Sequence, residues 1–238
     1  QIIDGKPISL VQPRSPITES FRALRTNLTY SSVDRPLRRI LITSSTPQEG
    51  KTTISANLTV VLAQGEKKAI LIDADLRRPT VHKKFGLMNR LGLSSLFLRS
   101  LENIPATIQS AGIPGLSVMT SGSIPPNPAE LLTSHRMVEI LDRLNQDFEL
   151  IVIDTPPVLT VTDAVSLAPG MDGVIVVVKP GFTKESALKQ TLEHLRNVNA
   201  RVLGVVLNEV NPHSRKYGYY YHSYYSEDSH YYDEDKKR

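Results

Sequence analysis

Gly50, Lys51, Thr52 and Thr53 close the stretch ILITSSTPQEGKTT, in which an apolar run meets a turn and then a helix-forming segment. That order builds an anion cradle. Backbone N–H groups of the loop, from Gln48, Glu49 and Gly50 on to Thr53, point with the helix N-terminus at a bound phosphate, and the Lys51 ammonium reaches the terminal phosphates. The Thr52 hydroxyl is suited to ligate magnesium. The stretch has the form G-x-x-x-x-G-K-[ST], except that Ser45 stands where the first Gly is usual. Two acidic stretches share its logic: AILIDADLRRPT carries Asp73 and Asp75, and LIVIDTPP carries Asp154. Each ends an apolar run, the position beside which open α/β sheets bind their ligands. Asp73 and Asp75 are two residues apart and share a strand face if the extension persists, so both could approach one magnesium ion or one incoming hydroxyl. Taken singly, a strand-ending Asp also serves to cap a helix or start a turn. Taken together with the cradle, the set has the parts that phosphoryl transfer from ATP requires.

A candidate acceptor lies in the same chain. Eight of the nine tyrosines, Tyr217, Tyr219, Tyr220, Tyr221, Tyr224, Tyr225, Tyr231 and Tyr232, fall within RKYGYYYHSYYSEDSHYYDEDKKR. Interleaved with Ser, His, Asp and Glu, they have neither the alternation of a half-buried strand nor the apolar face of a helix. The segment is therefore expected to stay mobile and its phenols accessible. A phenol, with a pKa of about 10, is mostly protonated at neutral pH, so transfer to it calls for an adjacent carboxylate base. Asp73 and Asp75 are both candidates. Fully extended, residues 211–238 would span up to about 90 Å, with roughly a third of that explored by a flexible chain. A neighbouring subunit is within reach.

Positioning these groups falls to a regular series of elements. Short apolar runs predict strands at 39–43, 68–73, 116–120, 150–154, 173–178 and 202–207. Helices are expected at 51–64, 129–145 and 184–199, with shorter ones near Thr80 and Ile104. Strand then helix, repeated, implies an α/β fold of the P-loop NTPase kind, a largely parallel twisted sheet with helices on both faces. Residues 1–14 read as a loose lead-in, 15–210 as the domain and 211–238 as a flexible tyrosine-rich tail. Ser15 and Pro16 have the chemistry of an N-cap and first helical position, opening a helix over about 16–30.

Composition narrows the partners. The chain has 238 residues, 40% of them hydrophobic, which suffices for one core. A net charge of +4 is too mild to argue for nucleic acid. There is no cysteine, so neither a disulfide framework nor a Cys-type zinc site is expected, consistent with a reducing cytosol. No run approaches the ~18 apolar residues of a membrane span. His82, His135 and His194 lack metal-ligand spacing and read as surface or packing residues.

The three nucleotide motifs, STPQEGKTT, ILIDADLRRPT and IVIDTPP, together with the tyrosine cluster, resemble those of the bacterial tyrosine kinases (BY-kinases) that accompany capsule and exopolysaccharide export. In that family they are the Walker A, A′ and B elements. The resemblance implies ATP and Mg2+ as cofactors, Thr52, Asp75 and Asp154 around the metal, and phosphorylation of the tail between subunits. It further implies that Glu19, Arg22 and Arg25, in ESFRALR, form an E-x-x-R-x-x-R motif for ring assembly, an octamer being one candidate size. By spacing alone, Glu19 and Arg22 make an ordinary surface ion pair. The family also implies a membrane activator of the polysaccharide chain-length-determinant type, fused upstream or separate, holding a cytoplasmic kinase at the inner face of the membrane. By analogy with the wider superfamily, Asn208 would contact the adenine, although an ordinary strand-end Asn reads nearly as well. The runner-up is a deviant-Walker ATPase switch of the kind that positions division sites. Its signature lysine would stand at Thr46, so the cross-dimer residue is missing here.

Overall fold

The computed structural model describes residues 5–31, 35–65 and 67–211. Apolar runs without polar interruption become strands buried on both faces: β1 (Arg39–Ser44), β2 (Ala69–Asp73), β4 (Leu116–Met119), β5 (Leu150–Asp154) and β6 (Gly173–Val178). With β3 (Ile108–Ser110) and β7 (Val202–Leu207) they form one sheet in the order β3-β4-β2-β5-β1-β6-β7. All pairings are parallel except β3 with β4. The register decides the chemistry. β5 lies between β2 and β1, so Asp154 stands opposite Asp73 on one side and Ile42 on the other. The three motifs therefore end side by side.

Nine α-helices occur among the described residues: α1 (Ile8–Val11), α2 (Pro16–Tyr30), α3 (Lys51–Ala63), α4 (Val81–Phe85), α5 (Ile104–Thr107), α6 (Pro128–Thr133), α7 (His135–Asp147), α8 (Asp163–Leu167) and α9 (Glu185–Asn197). Alternating strand residues divide the core. Ile40, Ile42, Leu71 and Val152 pack with α2 and α3, whereas Leu41, Ile70, Ile72 and Ile153 pack with α6, α7, α8 and α9. From Ile54 to Ala63, α3 is buried all round, because the sheet covers one side and α2 the other. Ser15 caps α2 as its position predicts, accepting from the Thr18 N–H at 3.2 Å, with Pro16 opening the helix.

Two expectations need correction, and one strand is additional to them. The helix anticipated over 129–145 is two: Ser134 is extended (φ −71°, ψ 154°), and its hydroxyl donates to Leu131 O at 2.6 Å, ending α6 before α7 begins. The short helix expected near Ile104 is present as α5, and after it the chain extends as β3, an additional strand that pairs with the edge of β4, a tertiary reward the local sequence does not announce. The lead-in is not wholly loose. One helical turn, α1, docks where the Ser9 N–H donates to Asn57 Oδ1 at 2.8 Å, giving a buried polar residue of α3 its partner. Among the described residues no helix is long and apolar enough to cross a membrane.

Because Leu58 is fully buried in α3, between sheet and α2, Leu58→Ala is expected to cost about 3 kcal/mol. Urea unfolding of the purified variant measures it.

Candidate active site

The loop between β1 and α3 is held open by contacts from distant parts of the chain. Glu49 is fully buried, and its carboxylate accepts from the Thr46 N–H (2.9 Å), the Thr46 hydroxyl (3.0 Å) and the Thr183 hydroxyl (2.5 Å). Thr183 in turn accepts from the Lys179 N–H at 2.9 Å, so the turn after β6 is locked to the loop. Asn208, just after β7, donates through Nδ2 to Glu49 O at 3.0 Å. It lies so close beneath Gly50 that a Cβ there would meet its Nδ2 at 1.9 Å. Gly50 also has φ +89°, a conformation that glycine alone adopts without penalty. Gln48, at φ +68°, is a non-glycine residue in the same region. The loop's backbone is thereby spread at the N-terminus of α3, as an anion cradle requires.

Inside the mouth of this loop one ammonium faces three carboxylates. Lys51 Nζ lies 3.0 Å from Asp75 Oδ2 and 3.8 Å from Asp154 Oδ2. Asp154, completely buried, accepts from the Thr52 hydroxyl (2.6 Å) and the Ser55 hydroxyl (2.8 Å). Asp73, also completely buried, accepts from the Asp75 N–H (3.2 Å) through Oδ1 and from the Thr80 and Val81 N–H groups (3.1 and 3.0 Å) through Oδ2. It straps the chain that leads into α4. Asp75 sits nearer the surface and accepts from the Arg78 N–H at 2.9 Å. The Thr80 hydroxyl comes within 3.3 Å of that of Thr52.

Electrostatics follow from that count. Burial, with the charge of Asp154 added, pushes Asp73 from its ordinary 3.8 up to about 7 against the pull of the Val81 N–H. Burial likewise raises Asp154, with the Lys51 charge and two hydroxyls opposing. Burial alone would lower Lys51, but Asp154, Asp75 and Asp73 outweigh it and the amine is held above its ordinary value. The cluster carries more negative charge than its ammonium neutralises. A hard divalent cation would fit that imbalance, with Thr52 and Asp154 as oxygen donors and Asp75 close by. Among the described residues no group of three or more His, Cys, Asp or Glu side chains forms a cage for a metal. Magnesium characteristically keeps water and phosphate oxygens as ligands and needs no such cage.

Lys51, Thr52, Asp73, Asp75 and Asp154 are thus brought together. Gln48, Glu49, Gly50 and Thr53 form the loop and first turn beside them, although the Glu49 side chain turns inward. The Asn208 amide nitrogen is committed to the loop. Glu19 and Arg22 pair on the surface of α2, and Arg22 also donates to Pro13 O at 2.9 Å. Arg25 behaves differently, donating to Val61 O at 2.8 Å near the end of α3. The eight clustered tyrosines lie outside the described residues. Sequence reasoning missed Ser55, Thr80 and Thr183, and it missed Asp163, whose buried carboxylate takes the Arg77 guanidinium through two bonds at 3.0 and 3.1 Å. Ser55 was one helical turn beyond Lys51 and so detectable. Thr183 is 134 residues from Glu49, and no local pattern joins them.

Residues 38–207 match the family model described as AAA domain. The chain is 42% identical over 215 residues to tyrosine-protein kinase YwqD of Bacillus subtilis (strain 168), covering 90% of each. It is 34% identical to tyrosine-protein kinase etk of Escherichia coli (strain K12), where 85% of this chain spans 28% of that protein's length. Among solved structures, the chimerical protein CapA2B2 superposes with a TM-score of 0.81 at 42% identity, over 86% of this chain and 89% of that one. The kinase domain of the Escherichia coli tyrosine kinase ETK gives 0.81 at 33% identity, over 87% and 81%. The septum site-determining protein MinD of Pyrococcus horikoshii OT3, complexed with Mg-ADP, shares the fold more distantly, with a TM-score of 0.61 at 24% identity over 75% and 72%.

If the Glu49–Thr183 contact sets the loop, Thr183→Val should weaken nucleotide affinity about tenfold, the scale of one lost hydrogen bond to a buried charge, while Thr183→Ser retains it. Displacement of a fluorescent ADP analogue measures both.

Proposed function

The chain belongs to the AAA-domain family and within it to the bacterial tyrosine-protein kinases, and from that premise we propose that it transfers the γ-phosphoryl group of ATP to tyrosine hydroxyls of its own C-terminal cluster. The observation that carries this reading is the meeting of Lys51, Thr52, Asp75 and Asp154 at the mouth of the loop. The alternative, a division-site ATPase switch, has weaker support: its structural relatives are more distant, and Thr46 stands where the signature lysine would be.

Loop N–H groups bind the phosphates, and Lys51 exchanges its Asp75 partner for phosphate oxygens. Thr52 and Asp154, the latter fixed by Ser55, are the residues that would hold magnesium. That ion, when bound, neutralises charge on the triphosphate. Most of the barrier reduction comes from positioning and charge, because the transition state is loose. Release from Lys51 leaves Asp75 a free oxygen for the phenolic proton as the new O–P bond forms, the old bond to the β-phosphate oxygen breaks and ADP departs. Asp73 suits this step less well, since three backbone N–H groups already occupy its oxygens.

The tether length estimated for the tail and the Glu19, Arg22, Arg25 motif on α2 support transfer between subunits of a ring. The same family membership supports a membrane activator and a role in exopolysaccharide or capsule export at the inner face of the membrane. Phosphorylation would add about 1.5 to 2 negative charges per tyrosine and so loosen the ring by repulsion.

Incubated with magnesium and γ-labelled ATP, the protein is expected to acquire label on tyrosine, and Lys51→Met to lose at least about a hundredfold of it with an unchanged circular dichroism spectrum. Free phosphate without labelled tyrosine would favour the switch. For the ring, Glu19→Ala/Arg22→Ala is the cleaner test, because Arg25 also holds α2 to α3. Light scattering should record a lower oligomer mass for the double variant.

A further inference from the structure

We propose that Arg78, Lys83 and Lys84 form a basic rim at the mouth of the active site that reads acidic residues just after the acceptor tyrosine, so that Tyr224, Tyr225, Tyr231 and Tyr232 are phosphorylated before Tyr217, Tyr219, Tyr220 and Tyr221. This rests on the kinase reading and deepens it.

The rim is placed by contacts already described. The Arg78 N–H donates to Asp75, the Thr80 and Val81 N–H groups to Asp73, and the Thr80 hydroxyl lies 3.3 Å from that of Thr52. Residues 78–81 therefore border the cluster, and Lys83 and Lys84, on the short helix that starts at Val81, follow Thr80 within about 6 Å of helical rise. Arg78 and Lys83 are exposed and Lys84 is half-buried. The neighbouring Arg77 is taken by Asp163. No ion pair engages Arg78, Lys83 or Lys84 among the described residues. Three cations beside a phosphoryl-transfer centre, with no acid of their own, call for an anionic partner.

The chain supplies one. Glu227 and Asp228 follow Tyr225 at two and three residues, and Asp233, Glu234 and Asp235 follow Tyr232 directly. At ~3.3–3.6 Å per extended residue, those carboxylates trail the acceptor by about 3 to 11 Å, a reach that matches a rim bordering the carboxylate cluster. Tyr217, by contrast, follows Arg215 and Lys216, and Tyr219 to Tyr221 have no acid within five residues. The rim attracts the first group and repels the approach of the second.

The test uses the full-length chain and two peptides, one with the sequence of residues 222–235 and one in which Glu227, Asp228, Asp233, Glu234 and Asp235 become Gln or Asn. In Arg78→Ser/Lys83→Ser/Lys84→Ser the KM for the acidic peptide should rise about tenfold, the sum of three exposed ion pairs. The KM for the neutral peptide and for ATP should stay put. Mass spectrometry of the wild-type tail over time should find the four acid-flanked tyrosines modified first, and the variant should lose that order. Equal effects on both peptides, or a rise in the KM for ATP alone, would overturn the rim. If the wild type phosphorylates neither peptide, the kinase reading falls. Fluorescence anisotropy of the labelled peptides then still decides the rim, which fails if the acidic one binds no more tightly than the neutral one.

Discussion

Three buried carboxylates around one ammonium is the constraint on which this protein is organised. Left to themselves, Asp73 and Asp154 would ionise beside Lys51 only at a large desolvation cost. The structure answers in two ways. It surrounds Asp154 with hydroxyls and Asp73 with backbone N–H groups, and it leaves a place that a divalent cation would suit. Much of the surrounding structure accordingly serves to hold those oxygens apart beside the loop.

Holding them requires elements distant in sequence. The parallel order puts β5 between β2 and β1, so the acidic motifs and the phosphate loop emerge side by side from the sheet. The far half of the chain then returns to brace the loop, through Thr183 on Glu49 and Asn208 under Gly50. Gln48, in a left-handed conformation, is tolerated because the loop around it is fixed at both ends. A site meant to grip phosphate through backbone N–H groups gains from such bracing, since donors fixed before binding lose no entropy when the ligand arrives.

The same economy is visible at α2. Arg25, which its motif assigns to contacts between subunits, donates to Val61 O near the end of α3, whose first turn is the phosphate cradle. Glu19 and Arg22 remain on the surface. α2 thus divides between packing on α3 and an outer charged face.

The sequence by itself determined the strands, the fold class and the identity of the phosphate loop, because each depends on local patterns. Apolar runs of five or six residues specify buried strands, Gly-Lys-Thr-Thr specifies a helix N-terminus built for anions, and Ser15-Pro16 specifies where α2 begins. It also singled out Asp73, Asp75 and Asp154 by their place at strand ends, but it could not divide their roles. Only tertiary structure separates a carboxylate strapped by backbone N–H groups from one paired with Lys51 and one held by two hydroxyls. The pairing of β3 and the docking of α1 were hidden for the same reason, as each is stabilised by a partner the local chain does not contain, whereas the break at Ser134 rests on its own bond to Leu131 O. Contacts such as Glu49 with Thr183 join residues more than a hundred positions apart, and hydrogen bonds act over about 3 Å of space whatever the distance along the chain.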